Sequence, residues 1–258
     1  MALRILHIAP YGPEAWAYGG IPRVVGAMTQ GLRQRGHQVT LCTTDAHDAR
    51  TRLPRTAPGH GAERVVLPNV SNRAAYHLQA FAPVGLRRFL DTQVSSFDVA
   101  HLHACHNVLG ILASRALARA RIPYVLSPNG TAPVFERRQL AKRALQRLGG
   151  ADVLARASRV LAVSEAEARQ LRLLGVAPAR VSHVPNPVDL REFEVQPDGA
   201  RFRLTHKLDN RPVVLFLGKI TPRKGVGTVV DAFARLGSSR AQLVLAGNDM
   251  GGLSEAVP

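Results

Sequence analysis

At 258 residues the chain exceeds a typical single domain, so one large or two modest domains are expected. Hydrophobic residues make up 46%, enough for a core, while 34 Lys and Arg against 18 Asp and Glu give +16; ordinary apolar content at that charge excludes an intrinsically disordered chain. Cys42 and Cys105 are too few for a disulfide framework, and no stretch reaches the ~18 uncharged apolar residues of a membrane-spanning helix.

Met1-Ala2-Leu3-Arg4-Ile5-Leu6-His7-Ile8 has no basic leader and no small-residue cleavage site, so it reads as a first strand rather than a secretion signal. The expected location is the cytoplasm, with any membrane contact peripheral at its inner face. From there, short apolar runs alternate with helical patterns, the mark of a parallel sheet covered by helices. Strands are predicted at Leu3–Ile8, Gln38–Thr43, Arg64–Leu67, Phe97–His103, Pro123–Ser127, Arg159–Val163 and Arg180–Val184, mostly apolar on both parities.

Between the first two runs, Ile21, Val24, Val25, Met28 and Leu32 recur at helical spacing and Gly36 supplies a stop. Val134–Leu148 predicts a basic amphipathic helix with Val134, Leu140, Ala141, Ala144, Leu145 and Leu148 on its apolar face. Ser164-Glu165-Ala166-Glu167 has the form of a capping box opening a helix after Val163. The first domain is therefore read as 1–185 and a Pro/Gly-punctuated linker as 186–210. A second α/β segment follows over 211–258, with strands at Val213–Leu217 and Gln242–Ala246 around a helix that starts with Thr221 as its cap and runs to about Leu236. One such unit cannot cover its own strands, so the second domain is expected to be a truncated start.

Charge is uneven along this plan. Residues 1–189 hold 24 basic and 11 acidic residues (+13), and residues 190–258 hold 10 and 7 (+3). An anionic membrane surface or a phosphorylated substrate suits such an excess. Nucleic acid is not expected, because aromatics are only 5% and no recognised module is present.

Several segments have the residue types chemistry needs. Pro10-Tyr11-Gly12 through Gly19-Gly20 is a glycine-rich loop between a strand and a helix, where backbone N–H groups can approach a phosphate or sugar; it is neither the dinucleotide fingerprint nor the P-loop. His101, His103 and Cys105 share one strand face, yet no complementary pair at zinc spacing accompanies them, so no metal is expected and the residues are read as reaching a ligand crevice. Ser127-Pro128-Asn129-Gly130-Thr131 follows another strand as a turn or a hydroxyl-binding loop. Lys219, Arg223 and Lys224 gather around a helix start whose dipole is already positive, which suits a diphosphate.

In order and on these elements, the motifs resemble a family-4 glycosyltransferase of the GT-B architecture, with two Rossmann-like domains. The segments that carry the resemblance are the Gly19-Gly20 loop, Asp98-Val99-Ala100-His101-Leu102-His103, Pro123 to Gly130, Val163-Ser164-Glu165, Val184-Pro185-Asn186-Pro187-Val188-Asp189, and Gly218-Lys219 to Lys224-Gly225. The resemblance implies transfer of a sugar, with retention, from a nucleotide-sugar donor to a glycan or lipid-linked acceptor, without a cofactor or structural metal, as in surface polysaccharide or glycolipid synthesis. It places the acceptor on the first domain. By it, His103 and Asn129 stand at the catalytic positions, Gly19, Gly20, Lys219, Arg223 and Lys224 hold the donor diphosphate, and Ser164, Glu165 and Asn186 line the cleft.

The sequence also departs from the family pattern. Asn129 stands where many relatives carry His, and an amide cannot act as general acid or base; Lys219 replaces an Arg and loses bidentate geometry; Pro187 replaces a Gly. The family's Glu-x7-Glu segment is absent from these residues, so residues 1–258 are expected to bind nucleotide sugar weakly with little or no transfer. A non-catalytic carbohydrate- or nucleotide-binding remnant is the alternative.

Overall fold

Apolar residues on both parities leave the runs along the first 188 residues no polar face, and in the computed structural model they are buried parallel strands. The structure describes residues 1–54, 62–133, 143, 145–237 and 240–249. Among these, the chain forms two compact units, 1–188 and 189–258.

Seven strands of the first unit are β1 (Arg4–Ile8), β2 (Gln38–Thr44), β3 (Glu63–Leu67), β4 (Val99–His103), β5 (Tyr124–Ser127), β6 (Arg159–Ala162) and β7 (Val181–His183), within about a residue or two of their predicted positions. They form one sheet in the order β3-β2-β1-β4-β5-β6-β7, every pair parallel. The chain builds outward from β1 to β3, then returns to β4 and builds the other way. In such sheets the connections after β1 and β4 leave in opposite directions, which opens a crevice at their carboxyl ends.

Helix α1 (Gly20–Gln34) follows β1 and covers one face, Val25 meeting Ile5, Val39 and Leu41. It stops as predicted: Gly36 adopts φ 86° and the His37 N–H returns to the Leu32 carbonyl at 3.2 Å. On the other face Leu6, Ile8, Leu102 and Leu126 join a larger core with α3 (Leu86–Gln93) through Leu86 and Leu90, and with α4 (Val108–Ala120) through Leu109 and Leu117. Helix α2 (Asn72–Leu78) adds Ala75, α5 (Ala151–Arg156) adds Val153, and α6 (Glu165–Leu173) adds Ala168 and Leu171.

Of the amphipathic helix predicted at 134–148, residues 134–142 and 144 lie outside the described residues. Gln146–Gly150 forms a π-type turn in which Gly149 has φ 120°, and Leu148, predicted on the apolar face, is exposed because the chain is already turning there. Within 186–210, read from sequence as a linker, the chain has a 3-10 turn at Leu190–Phe193 and a helix α7 (Gly199–Thr205) capped by the Asp198 carboxylate, which accepts from the Arg201 N–H at 2.8 Å.

In the second unit β8 (Val213–Leu217) and β9 (Gln242–Ala246) pair in parallel around α8 (Val226–Arg235). Val214, Leu215 and Leu217 on β8 are exposed. The helix does not begin at Thr221 as predicted. Thr221 makes no side-chain cap; Pro222–Lys224 is a single 3-10 turn, and Gly225, with φ 71°, reorients the chain before α8. Just past the strand ends, the backbones approach so closely that a Cβ on Gly247 would overlap the Gly218 carbonyl, whereas Gly227 in α8 has open space around it.

These two glycines predict opposite outcomes. Gly247→Ala costs about 2–3 kcal/mol because backbone must move. Gly227→Ala is neutral or stabilising by up to about 1 kcal/mol. Urea midpoints of the two variants check this, and equal midpoints would contradict the close approach of Gly247 to Gly218.

Candidate functional site

The carboxyl ends of β1, β4, β5 and β6 converge on one edge of the first unit's sheet, and three loops there are built with unusual backbone. Ala104, His106 and Asn129 all have positive φ (62°, 52° and 50°) despite having side chains. Such strain persists only where surrounding bonds hold it. The Ala104 N–H reaches the Ser127 carbonyl at 2.9 Å, the Cys105 N–H the Thr131 Oγ1 at 2.7 Å, and the His106 ring Nε2 the Ala132 carbonyl at 2.8 Å. The loops after β4 and β5 are therefore one bonded body.

Glu167 joins the next strand to it. Its Oε1 accepts from the Gly130 N–H at 2.6 Å and its Oε2 from the Val163 N–H at 2.8 Å, while its own N–H donates to Ser164 Oγ at 3.2 Å. The capping pair read from sequence is thus present, but with the carboxylate turned onto the sheet edge. Charge-assisted bonds to backbone N–H groups make this buried carboxylate a rigid bracket.

Beneath the edge, His7, His101 and His103 occupy one sheet face at the β1/β4 boundary, where His7 and His101 are register partners. Their rings stack with centroids 4.1–5.3 Å apart. His7 Nδ1 and His103 Nε2 lie 3.0 Å apart, one donating to the other, and His101 Nε2 is 2.7 Å from Ser127 Oγ. Burial, and secondarily the neighbouring rings, holds His7 and His103 well below the ordinary histidine range and burial takes His101 to about 4, so the stack is neutral. As a metal site it fits poorly. Three nitrogens on one ion at ~2.1 Å stand roughly 3.4 Å apart, while here the ligand atoms spread to 4.8 Å and His101 is engaged by Ser127.

The β1–α1 loop forms the rest of the edge. Arg64, whose side chain is 4% exposed, makes a bidentate pair with Glu14 at 2.6 and 2.7 Å, and Tyr11 and Tyr18 stack at 4.8 Å against Phe81. Gly19 needs its left-handed backbone, φ 104°, to enter α1. A Cβ on Gly20 would meet nothing within 4 Å, and the first turn of α1 has no acidic residue or side-chain cap.

The sequence-predicted residues divide accordingly. Gly19, Gly20 and Asn129 lie at the edge; the Asn129 Oδ1 is buried without a hydrogen-bond partner, and its Nδ2 is a long 3.4 Å from the Ser127 carbonyl. His103, expected to line a cleft, is 2% exposed and instead supports the edge from below, because β4 ends before its ring can emerge. Ser164 is exposed and caps α6. Glu165 is exposed, 3.8 Å from both Arg172 and His183, and Asn186 is exposed after β7. Lys219, Arg223 and Lys224 belong to the second unit; Lys224 is exposed in the turn before α8. Cys105 lies past the end of β4, and burial pushes the Cys42 thiol up to about 12.

The sequence profile of Glycosyltransferase Family 4 matches residues 18–192. The chain belongs to that family. Among its relatives, the D-inositol 3-phosphate glycosyltransferase of Acidothermus cellulolyticus is 29% identical over 271 residues, covering 98% of this chain and 60% of the relative. That of Mycobacterium tuberculosis strain F11 is 29% identical over 263 residues, covering 97% and 54%. The family-4 chain thus spans little more than half the length of these relatives. Among solved structures, Anabaena Alr3699/HepE in complex with UDP-glucose superposes with a TM-score of 0.72 at 18% identity over 98% of this chain and 63% of that one. The catalytic domain of starch synthase IV from Arabidopsis thaliana, bound to ADP and acarbose, gives 0.65 at 14% over 96% and 69%. The fold is the α/β fold of the GT-B glycosyltransferases.

Sequence reasoning missed His7, the Glu14–Arg64 pair and the outward bonds of Glu167, because each depends on partners 37 to 96 residues away. A lone histidine within a strand and an acidic residue in a loop carry no local signal of such pairing.

The histidine stack predicts a pH dependence. Unfolded, each of the three binds a proton near pH 6.5; folded, each resists it. Stability therefore falls as pH drops from about 6.5 towards 4, by up to about 1.4 kcal/mol per pH unit for each histidine. Urea denaturation at pH 7, 6 and 5 measures the slope, and His101→Gln should remove about one histidine's share. A flat profile would contradict a neutral stack.

Proposed function

We propose that the protein is a retaining glycosyltransferase that moves a sugar from a nucleotide-sugar donor to a hydroxyl of a glycan or lipid-linked acceptor in surface polysaccharide or glycolipid synthesis. The observation that carries this reading is the edge at the β1/β4 switch point. A rigidly bonded loop body and the uncapped start of α1 there leave room above Gly20 for a ligand. Family membership supports it, as do relatives named D-inositol 3-phosphate glycosyltransferase, which add a phosphorylated cyclitol to the acceptors to test, and a structural neighbour that holds UDP-glucose.

In this reading the acceptor oxygen bonds to the anomeric carbon as the bond from that carbon to the diphosphate oxygen breaks, and the hydroxyl proton leaves with the diphosphate or to water. Negative charge grows on the departing diphosphate. Lys224, in the turn before the positive end of α8, and Lys219, two residues past the end of β8, stabilise it more in the transition state than in the bound donor. No metal or cofactor is invoked. The first unit holds the acceptor, with the His7–His103–His101 stack keeping the sheet edge in place. No helix among the described residues is long and apolar enough to cross a membrane. Association with an anionic bilayer through the +13 of residues 1–189 is part of the proposal and is read by liposome flotation with and without anionic lipid.

Calorimetry with UDP-glucose, ADP-glucose and GDP-mannose tests the donor. Lys224→Ala is expected to weaken donor binding about tenfold, one charge-assisted contact's worth, with the fold unchanged. Gly20→Ala is expected to keep the fold and reduce turnover. Anomeric analysis of the product by NMR reads retention. Transfer to any acceptor would decide for the transferase over the binding-protein alternative, and absence of binding to every donor would overturn both.

A further inference from the structure

The edge described above includes one residue that neither the core nor the proposed chemistry uses. Trp16, the single tryptophan of the chain, sits in the 3-10 turn Trp16–Tyr18 and is 67% exposed. Its neighbours show that this exposure is not looseness. Ala15 is fully buried, Tyr18 is buried in the Tyr11 and Phe81 stack, and Glu14 is held by Arg64 in a bidentate pair. The Trp16 N–H donates to the Glu14 carbonyl at 2.8 Å, and its own carbonyl accepts from the Gly19 N–H at 2.9 Å. A loop anchored on both sides of the residue therefore displays its largest side chain to water, where an indole's apolar area is unfavourable.

The ring is also held in one orientation. The Arg23 guanidinium, from the first turns of α1, lies over it at 5.8 Å from the centroid. A cation on one face polarises and steadies an indole, leaving a flat, preordered surface with little rotamer entropy left to lose on binding. The position is three residues ahead of Gly19, at the carboxyl end of β1.

We propose that Trp16 is the stacking platform for the six-membered polyol ring of the acceptor, a hexose or cyclitol, with Arg23 as the positioning residue behind it. This rests on the glycosyltransferase reading for the word acceptor, but the platform itself does not depend on transfer. The C–H faces of such a ring lie flat on an aromatic surface while its hydroxyls remain free for polar loop groups. Specificity for the acceptor ring then resides in a single-residue feature of the β1–α1 loop.

Because Trp16 is the sole tryptophan, its fluorescence reports the site directly. The full chain is titrated with D-inositol 3-phosphate, myo-inositol, glucose 6-phosphate and maltose, in separate runs. At least one is expected to give a saturable blue shift, weakened about tenfold in affinity by Trp16→Ala in calorimetry and retained within about threefold by Trp16→Phe. UDP-glucose binding, measured alongside, should be unchanged in both variants, which also shows that they fold. No spectral change with any of the four ligands, or equal affinity in Trp16→Ala, overturns the platform. Loss of UDP-glucose binding in the wild-type chain would instead strike the transferase reading, leaving the fluorescence titration to decide Trp16 by itself.

Discussion

A parallel strand can be joined to the next only by leaving the sheet at its carboxyl end, and this constraint shapes the first unit. Between β1 and β4 the chain reverses its direction of growth, so α1 and α4 depart from neighbouring strands without either crossing the gap. What remains there is an uncovered row of loop backbone above a buried sheet. The site, the strained residues and the histidine stack all sit at that boundary.

Keeping such an edge open has structural consequences. Loops that cannot be buried against a helix are instead tied to each other: Ala104 to Ser127, Cys105 to Thr131, Gly130 and Val163 to the two oxygens of Glu167. The positive φ values of Ala104, His106 and Asn129 are tolerated because these bonds over-determine them. Below, imidazoles fill the strand ends in neutral form. They offer polar atoms to one another and to Ser127, where aliphatic side chains would offer only bulk, and the stack itself buries no charge, the buried charge of the edge being the Glu167 carboxylate. Rigidity of this kind suits the proposed transfer, which requires two substrates to be held in fixed orientation before any bond changes.

The second unit follows a different logic. Its turns are set by glycines: Gly225 leads the chain into α8, and Gly247 lets the backbone past the end of β9 approach Gly218 closely. Thr221 followed by Pro222 satisfies every local rule for a helix cap, yet the cap is not made, because the left-handed Gly225 separates that turn from the helix.

The sequence alone determined what depends on periodicity and on neighbours a few residues apart. Apolar residues on both parities marked the buried strands, Gly36 marked the end of α1, and Ser164 with Glu167 marked the start of α6, since strand burial and capping are settled within a turn or two of chain. The ordered motifs also carried the family. Only the tertiary structure decided which side chains meet across the sheet. His7 joins His103 because β1 and β4 are neighbours, Arg64 near the start of β3 pairs with Glu14 of the β1–α1 loop 50 residues away, and His103 at the end of β4 is buried rather than lining the edge. Strand order and register are global properties with no signature in any one segment, so these partnerships existed only once the sheet was assembled.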